Sequence, residues 1–142
     1  MKKAAVIYWS MSGNTQAMAR AVADGLESAG VQTDLKQVSQ ISPEEALNCD
    51  LLALGCPAMG AEVLEEGEFE PFFSALENRL NGRRVALFGS YGWGDGQWMR
   101  DWQDRVNAAG ADLAGGEGLI VNYEPSADEL EQCRKLGAEL AN

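Results

Sequence analysis

The apolar residues of this chain fall into two alternating patterns. Short continuous runs, Ala4 to Trp9, Leu51 to Gly55, Val85 to Gly89 and Leu119 to Val121, have the length and branching of strands buried on both faces. Thr33 to Val38 alternates polar and apolar and suits an edge strand. Between these runs the apolar period lengthens to that of a helix. Asn14 to Ala29 carries Met18, Val22 and Leu26 on one face and stops at Gly30. Phe69, Phe72, Phe73, Leu76 and Leu80 make a second stripe, and Gln97 to Ala109 sets Trp98, Trp102 and Val106 four apart. Two further starts read as capping boxes: Ser42-Pro43-Glu44-Glu45, with proline at the first helical position, and Ser126-Ala127-Asp128-Glu129 before Leu130, Cys133, Gly137 and Leu140.

Five strands alternating with helices predict a parallel sheet with right-handed crossovers and helices on both faces. The 142 residues, without repeat or linker, predict one domain over 1–142. Ligands of such sheets sit beyond the carboxyl ends of the strands.

Composition then removes whole classes of chemistry. There is no histidine, so triads with a His base and His-ligated metal or haem are excluded. Cys49, Cys56 and Cys133 form no CxxC pair, and three thiols without an export signal read as buried and reduced. With 11 basic against 22 acidic residues, net charge −11 and pI ≈ 4.3, the chain repels nucleic-acid phosphates and anionic membranes. A basic protein partner fits better. No apolar run approaches the ~18 residues that span a bilayer, and Ala4 to Trp9 is too short for a secretory core, so a cytoplasmic protein is expected.

Three loops carry candidate chemistry. After the first strand, Ser10-Met11-Ser12-Gly13-Asn14-Thr15 leads straight into a helix, where unpaired N–H groups and the helix dipole favour an anion. It matches neither GxxxxGK[ST] nor GxGxxG, and no Lys or Arg occurs between Lys3 and Arg20, so a phosphate here would be held by neutral donors. Simple capping of the helix by Ser12 or Asn14 is the competing reading. After the third strand, Pro57-Ala58-Met59-Gly60-Ala61-Glu62 combines a soft apolar side chain, a permissive glycine and a carboxylate; the alternative is a turn whose Met59 is core. After the fourth, Ser90-Tyr91-Gly92-Trp93-Gly94 fixes a tryptophan between glycines, badly placed for a core and well placed against a planar ligand. Trp98 and Trp102, at helical spacing, are assigned to packing, and Trp9 to the end of the first strand. Strand polarity alone brings the three loops to one rim, where together they specify a site for flavin mononucleotide (FMN).

At these motifs the chain closely resembles the short-chain flavodoxins, especially those of anaerobic bacteria: the S-x-S/T-G-N-T loop, Gly55-Cys56-Pro57-Ala58-Met59-Gly60-x-Glu62, and Gly89-Ser90-Tyr91-Gly92-Trp93-Gly94-Asp95-Gly96 occur in order. The resemblance implies a flavodoxin-like doubly wound α/β fold, strand order 2-1-3-4-5, with FMN at the switch between strands 1 and 3. It implies a low-potential one-electron carrier, not an enzyme, cycling mainly between semiquinone and hydroquinone. Ser10, Ser12, Asn14 and Thr15 would hold the phosphate, Met59 and Trp93 would cover the inner and outer ring faces, Glu62 would accept from N3–H, and the backbone of Ser90 to Gly94 would meet the pyrimidine edge. The Gly60-Ala61 peptide would flip to meet N5–H. Met11, Ala61 and Pro57 depart from residues found in some relatives, and Pro57 removes one hydroxyl from the phosphate. Redox proteins docking on an acidic flavin rim, and a monomer, are expected. A small FMN-dependent quinone or NAD(P)H reductase of the same fold is the alternative.

Glu62, Glu65, Glu66, Glu68 and Glu70 place five acids in nine residues beside the second loop, with no base among them. At ~10 Å each would oppose a further negative charge on the ring by about 0.5–1 kcal/mol before screening.

Overall fold

The computed structural model describes residues 2–142. Its sheet is parallel throughout, built from β1 (Lys3–Tyr8), β2 (Gln32–Gln37), β3 (Leu51–Gly55), β4 (Arg84–Tyr91), β5 (Asp112–Leu113) and β6 (Leu119–Asn122). The order is β2-β1-β3-β4-β5, with β6 also pairing β4, so the expected 2-1-3-4-5 arrangement is present. β1 shows why its residues read as a continuous apolar run: Ala4, Val6 and Tyr8 face one hydrophobic cluster, and Ala5 and Ile7 face the other. A strand between two cores needs apolar side chains at every position.

One core is closed by α1 (Asn14–Ser28) and α5 (Ala127–Ala141), the other mainly by α3 (Phe69–Glu77) and α4 (Gln97–Ala108) with the single-turn α2 (Pro43–Leu47). α1 and α5 cross so closely that a Cβ on Gly25 would stand 2.0 Å from the Arg134 carbonyl oxygen, and one on Gly137 would stand 2.1 Å from that of Val22. Trp98 and Trp102 are core, as their spacing predicts, each 1% exposed; Trp102 meets Phe69 and Phe73 edge-on at 5.4 and 5.9 Å. Both capping boxes form. Ser42 Oγ accepts from Glu45 N at 3.1 Å and Ser126 Oγ from Glu129 N at 3.1 Å, each glutamate returning to the serine N–H. All three cysteines are buried, unpaired thiols.

The fifth strand differs from its expected form as one run over Leu119 to Val121. Val85 pairs Leu113 and Phe88 pairs Leu119, so six residues on the edge answer three on β4. The excess leaves the sheet as a 3₁₀ turn at Ala114–Gly116, where Gly115 and Gly116 take φ 76° and 77°, a region open to glycine at little cost. Leu80 also lies past the end of α3, though it is fully buried.

Candidate functional site

The loops after β1, β3, β4 and β6 meet at the carboxyl rim around a cleft of ≈ 270 Å³. It is lined by Ser10, Met11, Ser12, Asn14, Thr15, Pro57, Ala58, Met59, Ser90, Tyr91, Gly92 and Tyr123, with no basic side chain among them. Gly13, Gly60, Ala61, Glu62, Trp93 and Gly94 belong to the same loops without lining the cleft itself.

The first loop turns into α1 at Gly13, whose φ of 94° suits a residue without Cβ. Gly13 offers no side-chain cap, and the helix entry is served by hydroxyls of the preceding loop: Ser10 Oγ accepts from Gly13 N at 3.2 Å and Gln16 N at 3.3 Å. Ser12 Oγ accepts from Asn14 N at 3.4 Å. Thr15 is turned inward and 1% exposed, its hydroxyl 3.1 Å from that of Ser90.

The second loop is a tight reversal. Met59 N donates to Val63 O at 2.8 Å and Val63 N to Met59 O at 3.0 Å, with Gly60 at φ 49° and Glu62 at φ 57° in the turn. Its root is held by Ala58 N to Ser90 O at 3.0 Å and by the buried Cys56 Sγ, which accepts from Glu65 N at 3.4 Å. Burial pushes the Cys56 thiol well up, which keeps it protonated and unreactive. Glu62 reaches the start of α4: its Oε1 accepts from Gly96 N at 3.1 Å and Gln97 N at 3.0 Å, the place where orphan helix donors favour a carboxylate.

The third loop leaves β4 through Tyr91 and Gly92 and exposes Trp93 to 70%. Gly94 leaves room for the Glu62 carboxyl, whose Cδ would lie 2.6 Å from a Cβ there. The segment after β6 braces this loop. Asn122 Nδ2 donates to the carbonyls of Tyr91 and Gly92 at 3.3 and 2.9 Å, and Tyr123 N donates to Tyr91 O at 2.8 Å. Asn122 and Tyr123 were missing from the sequence reading, although the rule that ligands sit past strand ends applies to β6 as much as to β1, β3 and β4.

The acids beside the second loop are less uniform than their sequence implies. Partial burial pushes the Glu65 carboxyl up, but the N–H groups of Phe69, Glu68 and Gly67 that cap α3 outweigh it and hold it below the usual carboxylate range. Glu70 is lowered by Arg105, which takes both its oxygens at 2.8 Å while also pairing Glu77. Glu68 accepts from Trp9 Nε1 at 3.2 Å. The base missing from the local sequence therefore arrives from α4, and Glu66 is the exposed acid of the run with the least engagement.

Among the described residues the large hydrophobics that are exposed are Met11, Val63, Trp93 and Tyr123, one from each of the four loops on this rim. Uncharged donors at a helix start beside several bare apolar side chains suit a ligand with a phosphate at one end and a planar ring at the other. No group of three His, Cys, Asp or Glu residues able to hold a metal occurs among the described residues.

The family model described as flavodoxin matches residues 6–137. A flavodoxin of Clostridium beijerinckii is 49% identical over 138 residues, 96% of this chain and 98% of that protein. One of Megasphaera elsdenii is 40% identical over 136 residues, 96% of each. The solution structure of the two-electron reduced Megasphaera elsdenii flavodoxin superposes with a TM-score of 0.86, covering 97% of this chain and 98% of that one.

Proposed function

The chain belongs to the flavodoxin family, FMN-binding electron carriers rather than enzymes, and from that premise we infer that it is a low-potential, one-electron carrier with FMN held in the rim cleft. It exchanges electrons with partner redox proteins. The alternative reading as a quinone or NAD(P)H reductase is not favoured by these relatives. The observation that carries the assignment to this cleft is the meeting, on one rim, of a base-free hydroxyl loop at a helix start with the exposed apolar side chains of four loops.

FMN, when bound, supplies the one-electron chemistry; the chain supplies the setting. Ser10, Met11, Ser12, Gly13 and Asn14 would surround the phosphate with hydroxyl, amide and backbone N–H donors, and Thr15, its hydroxyl shared with Ser90, would fix that loop to the ring-binding loop. Pro57, Ala58 and Met59 would line the inner face, and Trp93 would cover the outer one. Gly60 and Ala61 would present a peptide able to reorient, because glycine tolerates both senses of φ. Glu62 would accept from a ring N–H while anchored to α4, and the backbone of Ser90, Tyr91, Gly92 and Gly94 would meet the polar edge. The apolar cover excludes water, and the net negative field opposes the second electron.

The finer reading makes residues 1–142 a single FMN-binding domain acting as a monomer in the cytoplasm. Unpaired buried thiols fit a reducing compartment, and no helix among the described residues is long and apolar enough to cross a membrane. Partners would dock with basic surfaces on the acidic flavin rim, so association should slow as salt rises. The direct test is titration of apoprotein with FMN. Equimolar binding that quenches flavin fluorescence supports the assignment, and folded apoprotein that refuses FMN at micromolar concentration overturns it. Direct NAD(P)H oxidation by the holoprotein would restore the reductase reading.

A further inference from the structure

Trp98 and Trp102 stand about one turn apart on α4, each 1% exposed, yet their indole N–H groups differ. Trp102 Nε1 has no hydrogen-bond partner among the described residues. Trp98 Nε1 donates to the Cys56 carbonyl at 3.1 Å, in a buried position at the root of the second loop. Gly89 on β4 leaves room for this bond, since a Cβ there would stand 2.1 Å from the Cys56 oxygen and 3.1 Å from Trp98 Cζ2. The centroid of the Trp98 ring also lies 5.6 Å from that of Tyr91, at the base of the third loop. One side chain of α4 thus meets the roots of both loops that would carry the flavin ring.

The second loop is therefore held by α4 at both ends. Trp98 donates to the Cys56 carbonyl at its start, and the N–H groups of Gly96 and Gln97 donate to the Glu62 carboxylate at its end. Between these points lie Pro57 to Ala61, where Gly60 has positive φ and nothing within 4 Å of a Cβ built on it. We propose that Trp98 is a positioning residue: its indole N–H pins Cys56 and so confines backbone movement in the second loop to Gly60 and Ala61. This rests on the reading of the cleft as the FMN site. Trp98 does not line that cleft; it acts through the buried Cys56, whose carbonyl loses a donor when the indole N–H is removed. A loop loose at its root has more backbone to order around the reduced ring, which disfavours the one-electron-reduced form.

The test compares full-length wild type, Trp98→Phe and Trp102→Phe. Both variants lose an indole from the same face of α4, and only the first loses a hydrogen bond to the loop. In apoprotein the amides of Ala58, Met59 and Val63, each bonded to a backbone carbonyl, report the loop by hydrogen exchange. With differences in global stability subtracted, they should exchange about tenfold faster in Trp98→Phe and within about twofold of wild type in Trp102→Phe. In holoprotein the formation constant of the one-electron-reduced flavin, read by reductive titration, should fall about fivefold in Trp98→Phe and within about twofold in Trp102→Phe. Should Trp98→Phe fail to fold, replacement of Trp98 by benzothienylalanine keeps the ring shape without the N–H and carries the same readouts. Unchanged exchange at the loop, an unchanged titration with FMN bound, or equal effects of the two variants would each overturn the proposal. Failure of wild-type apoprotein to bind FMN would instead overturn the reading of the cleft, with exchange still deciding whether Trp98 pins the loop.

Discussion

The hydroxyl oxygens of Thr15 and Ser90, 75 residues apart in sequence, lie 3.1 Å from one another in a buried position, and Ser90 N also approaches Thr15 Oγ1 at 3.4 Å. Through this pair the hydroxyl loop after β1 and the tryptophan loop after β4 share one anchor. Replacing one partner leaves the other hydroxyl buried without its bond, a cost of about 1–3 kcal/mol. Thr15→Val and Ser90→Ala should each lower the unfolding free energy by that amount in urea titrations of apoprotein, and the double variant should lose less than the sum. Strict additivity would show that the pair is not coupled.

Glu62 joins the second loop to α4 by accepting two N–H groups with one oxygen. Glu62→Gln keeps an acceptor and loses the charge at the helix start, so it should cost about 0.3–1 kcal/mol, an effect that shrinks in high salt. Glu62→Ala removes the cap and should cost about 0.5–2 kcal/mol. Chemical unfolding at two salt concentrations separates the charge from the hydrogen bonds; equal effects of both variants at high salt would contradict this division.

Acid should act partly through Glu65, whose pKa is held below the ordinary 4.5 by the α3 N–H groups against the opposing effect of burial. A depressed folded-state pKa stabilises the protein above the unfolded value, and that stabilisation is lost as pH falls through the folded value. Glu65→Gln should therefore be less stable than wild type at neutral pH, with the gap closing once pH drops below 4.5. A gap independent of pH would assign the loss to shape rather than charge.

Glu66 is exposed and unengaged, whereas Glu70 is paired to Arg105 and Glu65 caps a helix. Glu66→Gln should raise the potential for the second electron by about 20–40 mV at low ionic strength, the equivalent of about 0.5–1 kcal/mol of relieved repulsion. Spectroelectrochemistry at two salt concentrations reads this directly. An unchanged potential would remove the acidic run from the account of low potential.

Gly60 sits at φ 49° with nothing within 4 Å of a Cβ built on it, so space does not exclude a larger residue but backbone conformation does. Gly60→Val places a branched side chain where the left-handed region costs it about 1–2 kcal/mol and restricts reorientation of the next peptide. Less of the one-electron-reduced flavin should accumulate during reductive titration. A titration superimposable on that of wild type would show that no peptide movement at Gly60 is involved.

Much of this was legible in the chain because it depends on local rules. Continuous apolar runs marked β1, β3 and β4 since each lies between two cores, and Ser-Pro-Glu-Glu and Ser-Ala-Asp-Glu marked helix starts since both partners of the box lie within four residues. Other features were not legible because their partners are distant. The edge beyond β4 breaks at Gly115 and Gly116, a departure visible only when residues 113 to 119 are set against the shorter span of β4. Arg105 reaches Glu70 across 35 residues, so a run that reads as unrelieved acid carries a half-buried basic partner for one member.

By itself, then, the sequence determined which segments become strands and helices, which loops emerge at the carboxyl rim, and the hydroxyl and aromatic chemistry those loops bring. Only the tertiary structure decided how the loops are bound to one another: Glu62 to the start of α4, Thr15 to Ser90, and Tyr123 over Gly92. The reason is physical. Periodicity and capping are set by neighbours a few residues away, whereas a hydrogen bond or close approach between loops depends on the packed distance between strands, which no local pattern records.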